Sequence, residues 1–284
     1  MNSSSVALLG FAVLPVAVGT LVRGLAERPD RSVLRPFTVT ATDYALQAPD
    51  TIVAGAVTFR LVNRGKEFHH LWIGRLDGGK TTEDLLAAMR QPGLLPAWVR
   101  EVGGPNAPAP GGESNATVSL SPGRYVIACL IPSDDGVPHL MKGMIRALTV
   151  VETPGPAPNP VGDVTMTLHD YIFTVPQPLR AGRHLIEVHN NGPQPHEVEL
   201  VRLDPGKTAQ EMLAWVHEPA GPPPGLPVGG VSPLGRGGVA WFEANLEPGT
   251  YALICFIPDA KDGKSHYEHG MVREIEVGGA GSAS

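Results

Sequence analysis

The chain is 284 residues long, 42% hydrophobic and 18% charged, with a net charge of −6. That is length enough for two packed domains and too much apolar content for a disordered chain. No basic block offsets the acidic balance, which argues against nucleic acid as a partner, and the 34 Gly and 29 Pro suit short strands joined by turns better than long helices.

Taken in order, the chain opens with an apolar, uncharged run, Val6 to Val22. It reads as an export signal or membrane anchor over residues 1–26, which makes the protein exported, either secreted or membrane-anchored. Arg23, Arg28 and Arg31 follow the run, and no Lys or Arg precedes it. For an anchor, that order favours a cytoplasmic C-terminal side.

Beyond this the chain repeats itself with an offset of 126 or 127: Asp43-Tyr44 matches Asp170-Tyr171, Asn63 and Gly65 match Asn190 and Gly192, and Gly143-Met144 matches Gly270-Met271. Pro- and Gly-rich residues 153–162 divide the copies as a short semi-rigid linker. The reading is a duplicated domain, 37–152 and 163–278, each copy near the common domain size.

Within each copy the pattern is mostly β. Phe37 to Tyr44 and Val164 to Tyr171 alternate; Ala56 to Val62 and Arg183 to His189 are the next strands. His70 to Arg75 and Val198 to Arg202 follow. Capping boxes at Thr81 to Asp84 and Thr208 to Glu211 announce one short helix per copy. Pro/Gly-rich loops are expected at Gln91 to Gly112 and Glu218 to Gly238. Then come strands Ala116 to Leu120 and Val239 to Leu246, a Pro-Gly turn, a strand running into Cys129 or Cys255, and a last strand after Met144 or Met271. The fold class is all-β: two tandem Greek-key β-sandwiches, each with a short helical insertion.

The chemistry-bearing residues sit on the repeat. Each copy has a thiol, an imidazole and, five residues after that imidazole, a thioether: Cys129, His139 and Met144, then Cys255, His266 and Met271. An earlier imidazole is available at His69 and at His196. Thiolate, imidazole and thioether suit copper in an electron-transfer site. The two cysteines hold equivalent positions in separate repeats, which speaks against a disulfide between them. His70 lies opposite Glu197 in the alignment and is no ligand on that ground; His269, opposite Lys142, is an extra imidazole expected in solvent. Trp72, Trp98, Trp215 and Trp241 are expected in core or inter-domain packing.

The order N-x-G-x3-H, P-G-x-Y-x3-C and H-x4-M resembles the cupredoxin (blue copper) fold in both copies. The resemblance implies one copper per domain, held by His69, Cys129, His139 and Met144 and by His196, Cys255, His266 and Met271. Nine residues separate Cys129 from His139, and ten separate Cys255 from His266. Such a gap, with GVPHLMKGM (Gly136 to Met144), is similar to the copper loop of copper nitrite reductases. Their catalytic second copper needs a His immediately before the Cys, where this chain has Ala128 and Ile254, and the H-x-H elements of multicopper oxidases are missing too. An enzyme is therefore the least supported class, with no catalytic residue assigned.

The resulting expectation is a copper-binding electron-transfer protein serving a redox partner protein, with His139 and His266 nearest the surface as electron ports. Two alternatives stand beside it. One is a copper-free structural or binding module that uses the Gln91 to Gly112 and Glu218 to Gly238 loops as its contact surface. The other is a copper storage or delivery protein.

Overall fold

The computed structural model describes Met1 and residues 36–90 and 95–279. The expected signal or anchor therefore lies, Met1 apart, outside the described residues. Among the described residues no helix is long and apolar enough to cross a membrane.

The first half contains β1 (Phe37–Thr42), β2 (Ala45–Gln47), β3 (Thr51–Val53), β4 (Gly55–Asn63), β5 (Trp72–Leu76), α1 (Thr82–Met89), β6 (Val99–Gly103), β7 (Glu113–Leu120), β8 (Gly123–Ala128) and β9 (Ile145–Val151). The second half repeats it: β10 (Val164–His169), β11 (Ile172–Thr174), β12 (Leu179–Arg180), β13 (Gly182–Asn190), β14 (His196–Leu203), α2 (Ala209–His217), β15 (Gly225–Leu234), β16 (Val239–Leu246), β17 (Gly249–Ile254) and β18 (Val272–Gly278). The expected tandem pair of Greek-key sandwiches is what forms. Alternating strands such as β1 and β10 send one face inward, and the apolar residues so gathered make a core that runs through both halves, from Val39 and Phe59 to Phe242 and Leu253.

Both capping boxes form. Thr81 Oγ1 accepts from the Asp84 amide and the Asp84 carboxylate accepts from the Thr81 amide; Thr208 and Glu211 do the same. Each box contributes about 1 kcal/mol to a helix too short to stand alone. The helices cover the outer face of the second sheet of each half. Leu85 packs over Trp72 and Val126, with Trp98 alongside; Met212 and Leu213 pack over Val201 and Ile254, with Trp215 alongside. Trp241 is buried in β16, opposite Thr117 of β7, at the junction of the halves.

The strand order shows how the halves join. One sheet reads β11-β10-β13-β16-β7-β4-β1-β2 and the other β12-β18-β17-β14-β15-β6-β5-β8-β9-β3. Each order is palindromic in repeat-equivalent strands. At both centres, β16 beside β7 and β15 beside β6, equivalent strands pair antiparallel. That is the arrangement a two-fold axis imposes on equivalent elements, so the halves are related by a pseudo-dyad and both sheets run through it.

This corrects the expectation of loops at Gln91 to Gly112 and Glu218 to Gly238. Among the described residues these stretches hold β6 and β15, which pair with each other between the halves. A glycine pair in each explains the miss. Gly103-Gly104 and Gly229-Gly230 all have positive φ, and a Cβ on Gly104 or Gly230 would stand 2.1 Å from Leu71 O or 1.9 Å from Val198 O. Glycine reads as a breaker, yet here it lets two backbones touch. Within residues 153–162, Ala157 pairs with Gly55 and the Gly162 amide donates to Glu187.

Gly230→Ala should lower stability by about 2–4 kcal/mol, because a side chain at that φ must also displace the Val198 carbonyl. Denaturant melts check this; Gly263→Ala, at a positive φ with nothing within 4 Å, should cost clearly less.

Candidate metal centres

Each centre begins at the end of β4 or β13. Asn63 Oδ1 accepts from the Gly65 amide at 2.9 Å, and its amide nitrogen donates to Glu67 O and Pro108 O; Asn190 makes the same turn with Gly192. The turn brings the first histidine in under the glycine. A Cβ on Gly65 would lie 2.5 Å from His69 Nε2 and 2.2 Å from Asp43 Oδ1, and one on Gly192 would lie 2.6 Å from His196 Nε2. The glycine of N-x-G is thus required by close packing over the ring.

The cysteine follows β8 or β17. Cys129 N donates to Met144 O at 3.0 Å, and Cys129 O accepts from Leu140 N; Cys255 is clamped in the same way to Met271 and Tyr267. The long Cys–His gap is absorbed by a small excursion. Pro132 bridges to Pro138, and the His139 amide returns to Ile131 O at 2.9 Å; Pro258 bridges to Ser265, and His266 returns to Ile257 O. The second histidine is thereby set two residues from its cysteine in space, whatever the loop length. It then starts a short 3₁₀ turn, His139–Lys142 or His266–His269, closed by a left-handed glycine, Gly143 or Gly270. That turn sets the five-residue step to methionine, whose amide donates to the histidine carbonyl.

The result is the same cluster twice. His69 Nδ1 lies 3.0 Å from His139 Nδ1, and Cys129 Sγ lies 3.4 Å from His139 Nδ1. In the second half the corresponding distances are 3.0 Å and 3.3 Å. The three donor atoms of each cluster lie within 4.8 Å of one another, and all six side chains are buried. Met144 and Met271 are fully buried and tied by main-chain bonds to the cysteine and histidine of their own cluster. Both cysteines are free thiols.

Residues not singled out in the sequence orient the rings. Asp43 Oδ1 and Asp170 Oδ1 each stand 2.7 Å from Nε2 of the first histidine. A carboxylate can only accept, so it holds the proton on Nε2 and turns the Nδ1 lone pair inward. Glu67 Oε2 does the same for His139 Nε2 at 2.9 Å. In the first centre, two ring nitrogens with lone pairs therefore face each other at 3.0 Å beside a sulfur, an arrangement a bound cation would satisfy. The exact repetition of Asp43-Tyr44 as Asp170-Tyr171 was the available sign of this layer; Glu67 and Asp259 hold non-equivalent positions and gave none.

His70 and Glu197 are not ligands. Each reaches past its own centre to the amide after the cysteine: Leu130 N donates to His70 Nε2, and Phe256 N to Glu197 Oε1, both at 2.9 Å. His269 is exposed, as expected, bonded to Asp262 and stacked on Tyr171.

The expected surface position of His139 and His266 is not found. Both side chains are 0% exposed. Tyr44 covers His139 with ring centres 5.1 Å apart, and Tyr171 covers His266 at 5.3 Å. The Cys–His excursion brings Ser133 and Asp259 up against these tyrosines, so the outer edge of each ring meets a polar lid rather than solvent.

Burial governs the protonation of the clusters. It pushes the Cys129 thiol up to about 12 and the Cys255 thiol well above its ordinary value, and it lowers the imidazoles of His139, His196 and His266, the last to about 4. At pH 7 the metal-free clusters therefore hold neutral thiols, and the imidazoles of His139, His196 and His266 are neutral.

No protein-family model and no curated protein sequence matches the chain. Among solved structures it is similar to a dithionite-reduced auracyanin of Roseiflexus castenholzii, at 21% identity over 40% of this chain and 94% of that one, TM-score 0.28. It is similar to a blue copper oxidase of Nitrosomonas europaea, at 16% identity over 85% of each chain, TM-score 0.26. A copper-containing nitrite reductase of Thermus scotoductus matches at 12% identity over 85% of this chain and 61% of that one, TM-score 0.24. At these scores the likeness decides nothing; the fold assignment rests on the strand order and the repeated cluster.

A thiol raised from 9 to about 12 carries about a thousandfold less thiolate at pH 8. Alkylation of Cys129 in the folded, metal-free protein should be slower than in the unfolded chain by at least that factor, as mass spectrometry of iodoacetamide-treated samples would read.

Proposed function

We propose that this chain, a pair of tandem cupredoxin-like β-sandwiches, is a copper-binding electron-transfer protein with one centre in each half. His69, Cys129, His139 and Met144 hold the first copper and His196, Cys255, His266 and Met271 the second. The observation that carries the reading is the repeated convergence of two Nδ1 atoms and one Sγ within a single buried pocket. Two imidazoles, a thiolate and a weak thioether favour one-electron cycling of copper.

The chain's own groups prepare that chemistry. Asp43 and Asp170 fix the tautomer of the first histidine, and Glu67 that of His139. The main-chain clamp between Cys129 and Met144, and between Cys255 and Met271, locks the cysteine to the strand after the site. Rigid, pre-oriented donors leave little to rearrange when the charge changes. The thiol must lose its proton on binding, since burial keeps it protonated otherwise. Complete burial of the donor atoms favours retention of the metal over ready delivery to an acceptor. Electrons enter and leave through the lids, Tyr44 with Glu67 and Tyr171 with Asp259, to a redox partner protein. Export, on the strength of the Val6 to Val22 stretch, belongs to the same reading.

Copper(II) added to the purified protein should give an intense visible thiolate-to-copper band that saturates at two equivalents. Cys129→Ser and Cys255→Ser should each remove one equivalent and its share of the band, and the double variant should remove both. Zero copper by metal analysis after reconstitution overturns the reading.

Affinity should also rise with pH. Each thiol is protonated across the neutral range, while His139, His196 and His266 are already neutral, so each copper displaces the thiol proton. Competition with a chelator of known affinity should show a gain of about tenfold per pH unit per site between pH 7 and 8.

A further inference from the structure

The two centres are not chemically equal, and the fold places a polar bridge between them. Resting on the reading above, we propose that they form an ordered donor–acceptor pair: the first centre passes its electron to the second across the pseudo-dyad, through His70, Asn106 and Glu197.

The inequality lies at the far nitrogen of the second histidine. In the first half, His139 Nε2 donates to the Glu67 carboxylate at 2.9 Å, with Tyr44 hydroxyl on the other oxygen. In the second half the corresponding carboxylate, Asp259, is held elsewhere. It accepts from Tyr171 hydroxyl at 2.6 Å, from Gln194 at 2.8 Å and from the Lys261 amide at 2.8 Å. Asp259 stands 3.9 Å from His266 Nε2, and that buried nitrogen has no hydrogen-bond partner among the described residues. A carboxylate on an imidazole N–H makes the ring a stronger donor and favours the more charged metal. Glu67 therefore stabilises oxidised copper in the first centre more strongly than Asp259, at 3.9 Å and without a hydrogen bond to the ring, does in the second. Lys142 over the Tyr44 ring would act in the opposite sense, but its ammonium is paired with Asp135 at 2.8 Å, which cancels most of its field.

The bridge is built from the residue following each first histidine. His70 is covalently next to His69 and bonded to the amide after Cys129; Glu197 is covalently next to His196 and bonded to the amide after Cys255. Each therefore joins two donor segments of its own centre. On the first-half side Leu71 N, one residue beyond His70, donates to Pro105 O at 3.0 Å, and the carboxamide of the next residue, Asn106, donates at 3.0 Å to Val198 O, one residue beyond Glu197. The side chains of His70, Asn106 and Glu197 are buried. Electronic coupling falls off more slowly through covalent and hydrogen bonds than through space, so this chain of contacts is the favoured path between the halves. The dyad counterpart of Asn106 is Ser232, which makes the equivalent clamp, hydroxyl to Leu71 O at 3.0 Å, with a side chain too short to stand between His70 and Glu197. In the exchange, one electron leaves reduced copper in the first centre and enters oxidised copper in the second. One is oxidised as the other is reduced, and no proton or further reagent takes part.

Two measurements test this on the copper-loaded full chain. Redox titrations of the visible band in Cys255→Ser, which keeps the first centre, and in Cys129→Ser, which keeps the second, should place the second higher. Their difference should correspond to an exchange constant of at least about tenfold, about 59 mV for one electron. Glu67→Gln in the Cys255→Ser background should narrow it. In the two-copper protein, a pulse of less than one reducing equivalent should be followed by redistribution at a rate independent of protein concentration. Asn106→Ser, which keeps a hydroxyl for Val198 O as Ser232 does for Leu71 O, should slow that step at least tenfold with both potentials unchanged. Equal or reversed potentials, or a rate indifferent to Asn106→Ser, overturn the pair while leaving two copper centres intact. Failure to bind copper at all overturns the reading beneath it as well.

Discussion

A carboxylate behind the first histidine is the contact on which each centre depends. Asp43 on His69 and Asp170 on His196, both at 2.7 Å, settle which ring nitrogen carries the proton and therefore which lone pair points inward. The rest follows from keeping that pair in place. Gly65 and Gly192 are bare because ring and carboxylate lie where a Cβ would be. Asn63 and Asn190 tie the turn so that the glycine stays over the ring. Packing alone would hold the imidazole in the pocket but would leave its tautomer open.

The second constraint is the pseudo-dyad. Two independent sandwiches on a tether would each leave two more strand edges unpaired. Here the edges are spent on each other, β7 on β16 and β6 on β15. Because the segment that follows β6 and the second half of β15 lie against the residues just after each first histidine, the interface is also an approach between the two centres. Asn106 on Val198 O and Ser232 on Leu71 O hold it from opposite sides. Duplication without the dyad would yield two separate sites; duplication with it yields two sites whose neighbouring residues touch.

Equivalence by sequence did not become equivalence of environment. Glu67 lies two residues before His69, whereas Asp259 lies on the Cys–His excursion, so the two carboxylates near the second histidines come from different parts of the repeat. The extra residue in the second excursion and the Gln194 side chain hold Asp259 in a network of its own, away from His266 Nε2. Small departures in the loops thus changed the outer layer while the inner donors stayed superimposable in type and spacing.

What the sequence determined by itself was everything carried by local pattern. Alternation marked β1 and β10, Thr81 and Thr208 marked the helices, and the 126–127 offset exposed the duplication and paired the donors His69, Cys129 and His139 with His196, Cys255 and His266. What only the tertiary structure decided was everything carried by contact between distant segments. Gly103-Gly104 and Gly229-Gly230 looked like loop punctuation until their role in backbone approach across strands was visible. His139 and His266 looked like surface residues until Tyr44 and Tyr171, nearly a hundred positions earlier, were seen to cover them. A donor type can be read from one residue, but burial, tautomer and neighbourhood are properties of pairs, and those pairs exist only once the chain has folded.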